Sequence, residues 1–206
     1  MAASCPASIA AVRSMPELMP NPAIAPLARD RMSDRWRAVA ETADAVRGES
    51  TLIEVLAQAP ELLGWYYDGF YAEVFFKGRV ERRVKELLRL KLSTLHGCAF
   101  CNKGNTKSAR DAGVTEAQID AIWDTEGPLF DARERAVLRL AEQMALPNMR
   151  GEVTPALSAE LHAYFSEAEI VELGMVAAVL TGMAKMLFVF DLVSREADCP
   201  IGRPQA

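Results

Sequence analysis

Apolar residues recur every three or four positions along most of the chain, the spacing of helices that bury one face. Alternating strand-like runs of useful length are missing from the sequence. Helix starts are marked by capping pairs, in which a capping residue is followed three positions later by Glu or Gln. These pairs are Thr51 with Glu54, Thr115 with Gln118, Asp131 with Glu134, and Ser166 with Glu169. The pattern predicts a compact all-α fold with helices at 31–46, 51–57, 60–76, 80–96, 98–112, 115–126, 131–146, 155–164 and 167–194.

Composition and charge favour a globular domain and argue against a nucleic-acid-binding or secreted protein. The chain has 206 residues, of which 50% are hydrophobic and 25% charged, as in an ordinary globular domain. The formal net charge of −5 and the lack of a basic stripe argue against a nucleic-acid partner. Prolines interrupt every apolar run of the first 28 residues, which argues against a secretory signal. We therefore expect an extended or mobile arm at 1–28, a helical domain at 29–196 and a tail at 197–206.

The most apolar stretch is 171–193, which predicts a buried or subunit-facing helix. Glu172, Lys185 and Asp191 interrupt it, so no window reaches the roughly 18 uncharged residues typical of a membrane span. A helix that is apolar nearly all round packs in a core or an oligomer interface. We expect a homo-oligomer and no membrane partner.

The clearest chemical signal is a CxxC motif, Cys98-Ala99-Phe100-Cys101, placed at a predicted helix start just after Gly97. Sulfurs three residues apart on a first helical turn can approach to bonding distance. The free N–H groups and the dipole of the helix start stabilise a thiolate, so the pair can cycle between dithiol and disulfide. Three alternatives remain: a structural disulfide, a zinc site with His96 as a third ligand, and two inert buried thiols.

Two further polar residues are candidates for the same site. Glu86 lies on one helical stripe with Ser93 and Gly97, where a buried carboxylate can accept a proton from a cysteine; alternatively, it pairs with neighbouring bases on a solvated face. Asn105 shares a helix face with both cysteines, and its alternative role is that of a polar residue at a packing seam. His96 either favours a thiolate or interacts with free carbonyls at the end of its helix.

The spacing Glu86-x11-Cys98-x2-Cys101, followed by Ala109 and Gly113, resembles the carboxymuconolactone decarboxylase/alkylhydroperoxidase D (AhpD-like) superfamily. The resemblance implies an all-α fold built on a helical hairpin and assembled as trimers or hexamers, with a dimer as a further option. It also implies roles for three residues. Cys101 attacks the peroxide, Cys98 resolves the sulfenic acid as a disulfide and exchanges with the reductant, and Glu86 is the base of a proton relay.

The sequence departs from that family pattern at the relay. Asn105 stands where the family has His, and Phe100 stands where some members carry a second His. The helix dipole favours Cys98 as the nucleophile, whereas the resemblance assigns the attack to Cys101.

These observations predict a cytoplasmic AhpD-type thiol peroxidase or disulfide oxidoreductase. Its catalytic residues are Cys101, Cys98, Glu86 and Asn105, and its partners are a small hydroperoxide or disulfide substrate and a dithiol reductant. No metal or other cofactor is expected. The alternatives are a decarboxylase-like lyase acting on a small carboxylated substrate, and a non-catalytic oligomer that senses oxidation.

Overall fold

The computed structural model describes residues 17–197, and helices dominate this part of the chain. The α-helices are α1 (Asp34–Arg47), α2 (Thr51–Leu56), α3 (Pro60–Gly64), α4 (Arg82–His96), α5 (Ala99–Asp111), α6 (Glu116–Asp120), α7 (Ala132–Met144), α8 (Pro155–His162) and α9 (Glu167–Val189). A 3-10 turn (Arg29–Arg31), a π-helix (Trp65–Phe75) and two short strands, β1 (Glu17–Leu18) and β2 (Arg195–Glu196), complete the order. The predicted all-α class is confirmed.

The expected arm at 1–28 and the expected tail at 197–206 are described only in part. Residues 1–16 and 198–206 lie outside the described residues, and with them lie most of the expected arm and tail, together with Cys5 and Cys199. Residues 17–28 run along the domain: β1 pairs antiparallel with β2, and the amides of Ala23 and Leu27 donate to the carbonyls of Phe190 and Glu54.

The helix-start signals are largely confirmed. Complete capping boxes form at the starts of α6, α7 and α9: the capping side chain accepts the backbone N–H three residues on, and the Gln or Glu side chain of that residue accepts the N–H of the capping residue. The expectation for Thr51 with Glu54 is wrong. Ser50 holds the N-cap position, and the Glu54 carboxylate instead accepts hydrogen bonds from Arg29 (2.7 Å) and the Ser50 hydroxyl (3.2 Å).

Helix α4 is the central element of the domain. Twelve of its fifteen residues are buried, and it packs against α5, α7 and α9. The core is therefore built around α4 on several sides, and polar residues on this helix are removed from bulk water unless they line a cavity. The α4–α5 pair is the helical hairpin expected from the family resemblance.

The segment predicted as one α-helix over 60–76 is divided in the structure. A short α-helix, α3, continues into the π-helix at Trp65–Phe75. The wider turn of a π-helix places residues five apart on one face, as the bond from the Phe76 amide to the Tyr71 carbonyl shows. A periodicity argument based on 3.6 residues per turn cannot reveal this change of winding.

Helix α9 ends five residues before its predicted end, and Asp191 follows in a left-handed conformation with φ 54°. The helix packs against α4, α7 and α8. By length and composition alone it could cross a membrane, and 33% of its most apolar window is buried inside the fold. Val171, Met175 and Val189 on its outer face are more than half exposed.

Candidate redox site

The two cysteines of the CxxC motif lie at the turn of the α4–α5 hairpin. Gly97 ends α4 in the left-handed region with φ 65°, a conformation that glycine adopts without the penalty of a Cβ. Cys98 is the N-cap of α5, and its sulfur accepts the Cys101 amide at 3.1 Å. The two residues form a disulfide, with their Cα atoms 5.1 Å apart. The structure thus brings the two sulfurs together at the helix start, as the spacing predicts.

A cavity of about 310 Å³ lies beside this disulfide. Two facing helices present polar stripes to it, with spacings of three and four residues: Arg89, Ser93 and His96 from α4, and Cys101, Asn105 and Ser108 from α5. Cys101 is half-buried and lines the cavity wall. Cys98 is 1% exposed and is not among the described residues that line the cavity. The two sulfurs are therefore chemically paired but differ in access.

The π-helix supplies an aromatic wall. Tyr66, Tyr67 and Tyr71 line the cavity, and the hydroxyls of Tyr66 and Tyr71 lie 3.5 Å apart. Burial raises the pKa of Tyr67 to about 12, and burial together with Tyr71 raises the pKa of Tyr66 well above its usual value. The phenols of Tyr66 and Tyr67 therefore stay protonated at neutral pH.

Glu86 is fully buried and is connected to the cavity wall through other side chains. One oxygen accepts Ser108 Oγ at 2.7 Å and Arg82 Nε at 3.3 Å, and the other accepts a guanidinium N–H of Arg89. The carboxylate is thus both buried and ion-paired, which combines parts of its two sequence interpretations. Ser108 and Arg89 both line the cavity, so the Ser108 hydroxyl is a direct bridge between the cavity and Glu86.

Asn105, which takes the place of the family His, is 6% exposed and lines the cavity. Its side-chain amide forms no hydrogen bond with the residues from 17 to 197, so it is available to a bound molecule. Phe100 is buried between the cysteines, and the Arg47 guanidinium stacks 4.6 Å above its ring.

His96 is held neutral. Its Nε2 accepts the Leu146 amide at 3.1 Å, and burial lowers the pKa of the imidazole to about 4. The expectation that His96 interacts with carbonyls at the helix end is not what the structure shows, because the ring nitrogen accepts a bond there. At neutral pH the ring cannot stabilise a thiolate as a cation.

Sequence reasoning misses Arg47, Arg89 and the three tyrosines. Arg47 ends α1, about fifty residues before the cysteines, and no local pattern connects them. Ser108 has a detectable signal, since it lies seven residues after Cys101 and therefore on the same helix face.

Among residues 17–197, no three His, Cys, Asp or Glu side chains cluster closely enough to hold a metal ion. Zinc coordination by the cysteine pair with His96 therefore has no geometric support in this part of the chain. The two sulfurs are instead joined to each other in the disulfide.

Part of the chain matches a family model and uncharacterized bacterial proteins. The model of the carboxymuconolactone decarboxylase family matches residues 60–143. An uncharacterized protein of Bacillus subtilis (strain 168), YdfG, is 31% identical over 100 residues, which are 47% of this chain and 66% of that protein. The chain thus spans slightly under two thirds of that relative.

Two solved structures share the fold at lower identity. The AhpD core of an uncharacterized peroxidase-related protein from Ralstonia eutropha JMP134 aligns with a TM-score of 0.66 at 16% identity, over 88% of this chain and 95% of that one. The debrominase Bmp8 in complex with 2,3,4-tribromopyrrole aligns with a TM-score of 0.67 at 18% identity, over 86% and 93%. Residues 60–143 therefore carry the sequence pattern of the carboxymuconolactone decarboxylase family, and the helical fold around them is similar to that of the AhpD core.

Proposed function

We propose that the protein is a thiol-dependent peroxidase that reduces small organic hydroperoxides with the Cys98–Cys101 pair. One observation carries the proposal: the two residues form a disulfide at a helix start, and Cys101 alone of the two lines the adjacent cavity. A substrate bound in that cavity contacts the Cys101 sulfur, and the Cys98 sulfur lies within bonding distance of Cys101. This arrangement suits a two-step oxidation better than inert packing.

The reaction begins from the reduced pair. The Cys101 thiolate attacks the terminal oxygen of the hydroperoxide; an S–O bond forms, the O–O bond breaks, and the alkoxide leaves with a proton as an alcohol. The Cys98 thiolate then attacks the sulfenic sulfur, which forms the disulfide and releases hydroxide that leaves as water. A dithiol reductant returns two electrons and two protons by exchange. The balance is one hydroperoxide and one dithiol converted to one alcohol, one water and one external disulfide.

Ser108 provides the proton route in this proposal. The family His is Asn105 here, and an amide does not carry protons at neutral pH. The Ser108 hydroxyl lines the cavity and donates to Glu86 at 2.7 Å, so a proton from the cavity reaches the carboxylate through one hydroxyl. Glu86 is the acceptor at the end of that route.

Access to the cavity supports Cys101 rather than Cys98 as the nucleophile. The helix dipole favours Cys98, because its sulfur caps the helix start. Cys98 is 1% exposed, however, while Cys101 lines the cavity, so only Cys101 meets a substrate held there. We therefore assign the attack to Cys101, and we also place the exchange with the dithiol reductant at Cys101 rather than at Cys98.

The test is hydroperoxide consumption with dihydrolipoate or dithiothreitol as the reductant. We expect Cys101→Ser to reduce consumption to the uncatalysed rate, and we expect Cys98→Ser to consume one hydroperoxide per chain when no reductant is added and to form no intramolecular disulfide. Cys199→Ser is the matched control, because it removes a thiol outside the pair, and we expect it to retain full activity. Unchanged consumption in Cys101→Ser would exclude the proposal.

The relay has its own test. Ser108→Ala keeps the cavity and both cysteines but removes the bridging hydroxyl, so we expect kcat/KM to fall at least about tenfold. Ser158→Ala removes a half-buried hydroxyl on α8, away from the cavity lining, and serves as the control. A Ser108→Ala enzyme with unchanged kcat/KM would remove Ser108 from the route and leave the cysteine chemistry intact.

A second candidate is reductive dehalogenation of a small aromatic substrate by the same cysteine pair. The cavity has an aromatic wall of tyrosines, and the fold resembles that of a debrominase. In this reaction the pair would supply two electrons, the carbon–halogen bond would become a carbon–hydrogen bond, and halide would leave as the disulfide forms. Halide release from a bromopyrrole with no hydroperoxide consumption would favour this candidate.

Two alternatives from the sequence give different results in the same assays. A lyase acting on a carboxylated substrate would retain turnover in both cysteine variants and lose it in Glu86→Gln. A non-catalytic sensor would change its assembly on oxidation without consuming hydroperoxide. We further propose a homo-oligomer in the cytoplasm, with the exposed face of α9 as the contact between copies.

A further inference from the structure

The charged groups around the cavity are unbalanced. Arg47 and Arg89 line it, and no Asp or Glu belongs to the lining that the described residues form. Glu86, the carboxylate behind the wall, is shared between Arg89 and Arg82. The cavity therefore carries an excess of positive charge, although the chain as a whole has a net charge of −5.

Arg47 is a half-buried cation whose hydrogen-bond acceptor in the described chain is a backbone carbonyl. Its guanidinium donates to the Phe100 carbonyl at 3.0 Å and stacks on the ring of that residue. No carboxylate of the described chain pairs with it, and burial lowers its pKa. Gly104 permits this position, because a Cβ there would collide with the guanidinium. Four of the five guanidinium N–H groups remain for solvent or for a ligand.

Two more donors on the wall lack partners. Arg89 is 6% exposed, and its Nε has no hydrogen-bond partner among residues 17–197. Its charge is also held over the ring of Phe75 at 4.4 Å, which fixes the guanidinium in place. Asn105 is equally buried and its side-chain amide is free within the same residues. Buried donors are normally satisfied, so the unsatisfied Arg89 Nε indicates a ligand, and the Asn105 amide and the uncompensated charge of Arg47 lie on the same cavity.

We propose that this cavity binds the carboxylate of an organic hydroperoxide, and that Arg47, the Arg89 Nε–H and the Asn105 amide are its donors. The inference rests on the proposed peroxidase function and names its substrate class. Guanidinium groups bind planar carboxylates by paired hydrogen bonds. The apolar body of the substrate packs on Tyr66 and Tyr71, and the hydroperoxide end faces Cys101.

Binding is measured separately from turnover, with unreactive probes. We choose 4-isopropylbenzoate and its neutral isostere 4-isopropylbenzamide, titrated calorimetrically into the protein in its disulfide form. Charge-assisted hydrogen bonds in a half-buried site predict that the benzoate binds about tenfold more tightly or better. Arg47→Gln should reduce that preference to about twofold, while Arg47→Lys should retain part of it because the charge remains.

The control is Arg35→Gln, which removes a positive charge from the same helix at an exposed position paired with Asp68. Arg35→Gln should leave the preference for the benzoate unchanged if Arg47 acts by direct contact. If the general positive field of the protein caused the preference, Arg35→Gln would reduce it. Equal affinity for the two probes, or a preference that survives Arg47→Gln, would overturn the inference. If Arg47→Gln is unfolded by circular dichroism, Arg47→Lys and Asn105→Ala decide the question by the same ratio.

The outcomes also separate this inference from the function on which it rests. A benzoate preference in a protein that consumes no hydroperoxide would reject the peroxidase and leave the carboxylate site. Equal kcat/KM for cumene hydroperoxide and its para-carboxylate, with no benzoate preference, would leave the peroxidase and reject the carboxylate site.

Discussion

His96 should make the stability of the fold depend on pH between neutrality and pH 5. The ring is 2% exposed, its Nε2 accepts the Leu146 amide, and burial lowers its pKa from 6.5 to about 4. The unfolded chain therefore takes up a proton below about pH 6.5, whereas the folded chain takes it up only near pH 4. Stability from this group is complete above pH 6.5 and is lost as the pH falls toward 4.

The loss of stability on acidification follows from the difference between the pKa of His96 in the unfolded chain and its pKa in the folded chain. Each pKa unit corresponds to about 1.4 kcal/mol, so the full loss between pH 7.5 and pH 4 is about 3 kcal/mol, of which about 2 kcal/mol is lost by pH 5. Measurements should stop near pH 5, because carboxylates begin to titrate below it. The assay is urea unfolding followed by circular dichroism at fixed protein concentration.

His96→Gln is the perturbation, since an amide oxygen can still accept from Leu146 and does not titrate. We expect this variant to be less stable than the natural chain at pH 7.5 and to lose little further stability by pH 5. His162→Gln is the matched control: it removes the other histidine, which is exposed and whose pKa is raised by the Ser158 carbonyl and Glu167. Because the pKa of His162 is raised in the fold, its protonation stabilises the folded chain at low pH. His162→Gln should therefore still lose stability between pH 7.5 and pH 5. A natural chain with constant stability over this range, or a His96→Gln chain with the full fall, would refute the reasoning.

Three more predictions follow from other contacts. Gly104→Ala should fold with little loss of stability, because the displaced group is the flexible end of Arg47, but it should weaken binding of 4-isopropylbenzoate by calorimetry; unchanged binding would separate Gly104 from the site. Glu172→Gln should cost about 3–5 kcal/mol in urea unfolding, since it leaves the fully buried Lys85 ammonium, 2.9 Å away, without its counter-charge; a loss below 1 kcal/mol would mean that the pair is dispensable. Met175→Glu places a charge on the exposed apolar face of α9 and should lower the mass measured by light scattering; an unchanged oligomer would move the interface elsewhere.

The local parts of the structure were accessible from the sequence. Gly97 and the apolar spacing of α4 predict that one helix ends and the next begins at the cysteines, because each signal acts within a few residues of its own position; the hairpin itself was implied by the family resemblance. The three complete capping boxes were predicted for the same reason.

The surroundings of the cysteines were not accessible in this way. Arg47 reaches the cavity from α1, and Tyr71 reaches it because a π-helix replaces the expected α-helix. Both depend on packing between segments far apart in sequence. Glu86 was predicted in part. The sequence indicates its helix and its burial, but its hydrogen bond from Ser108 depends on how α4 and α5 face each other.

The central claim is that Cys98 and Cys101 exchange two electrons with a molecule in the cavity. The most direct measurement is a single turnover of the fully reduced protein with one equivalent of cumene hydroperoxide, followed by thiol alkylation and mass spectrometry. We predict one equivalent of cumyl alcohol and one Cys98–Cys101 disulfide per chain, and neither above background in Cys101→Ser. A pair that remains fully reduced while the hydroperoxide persists would contradict the account.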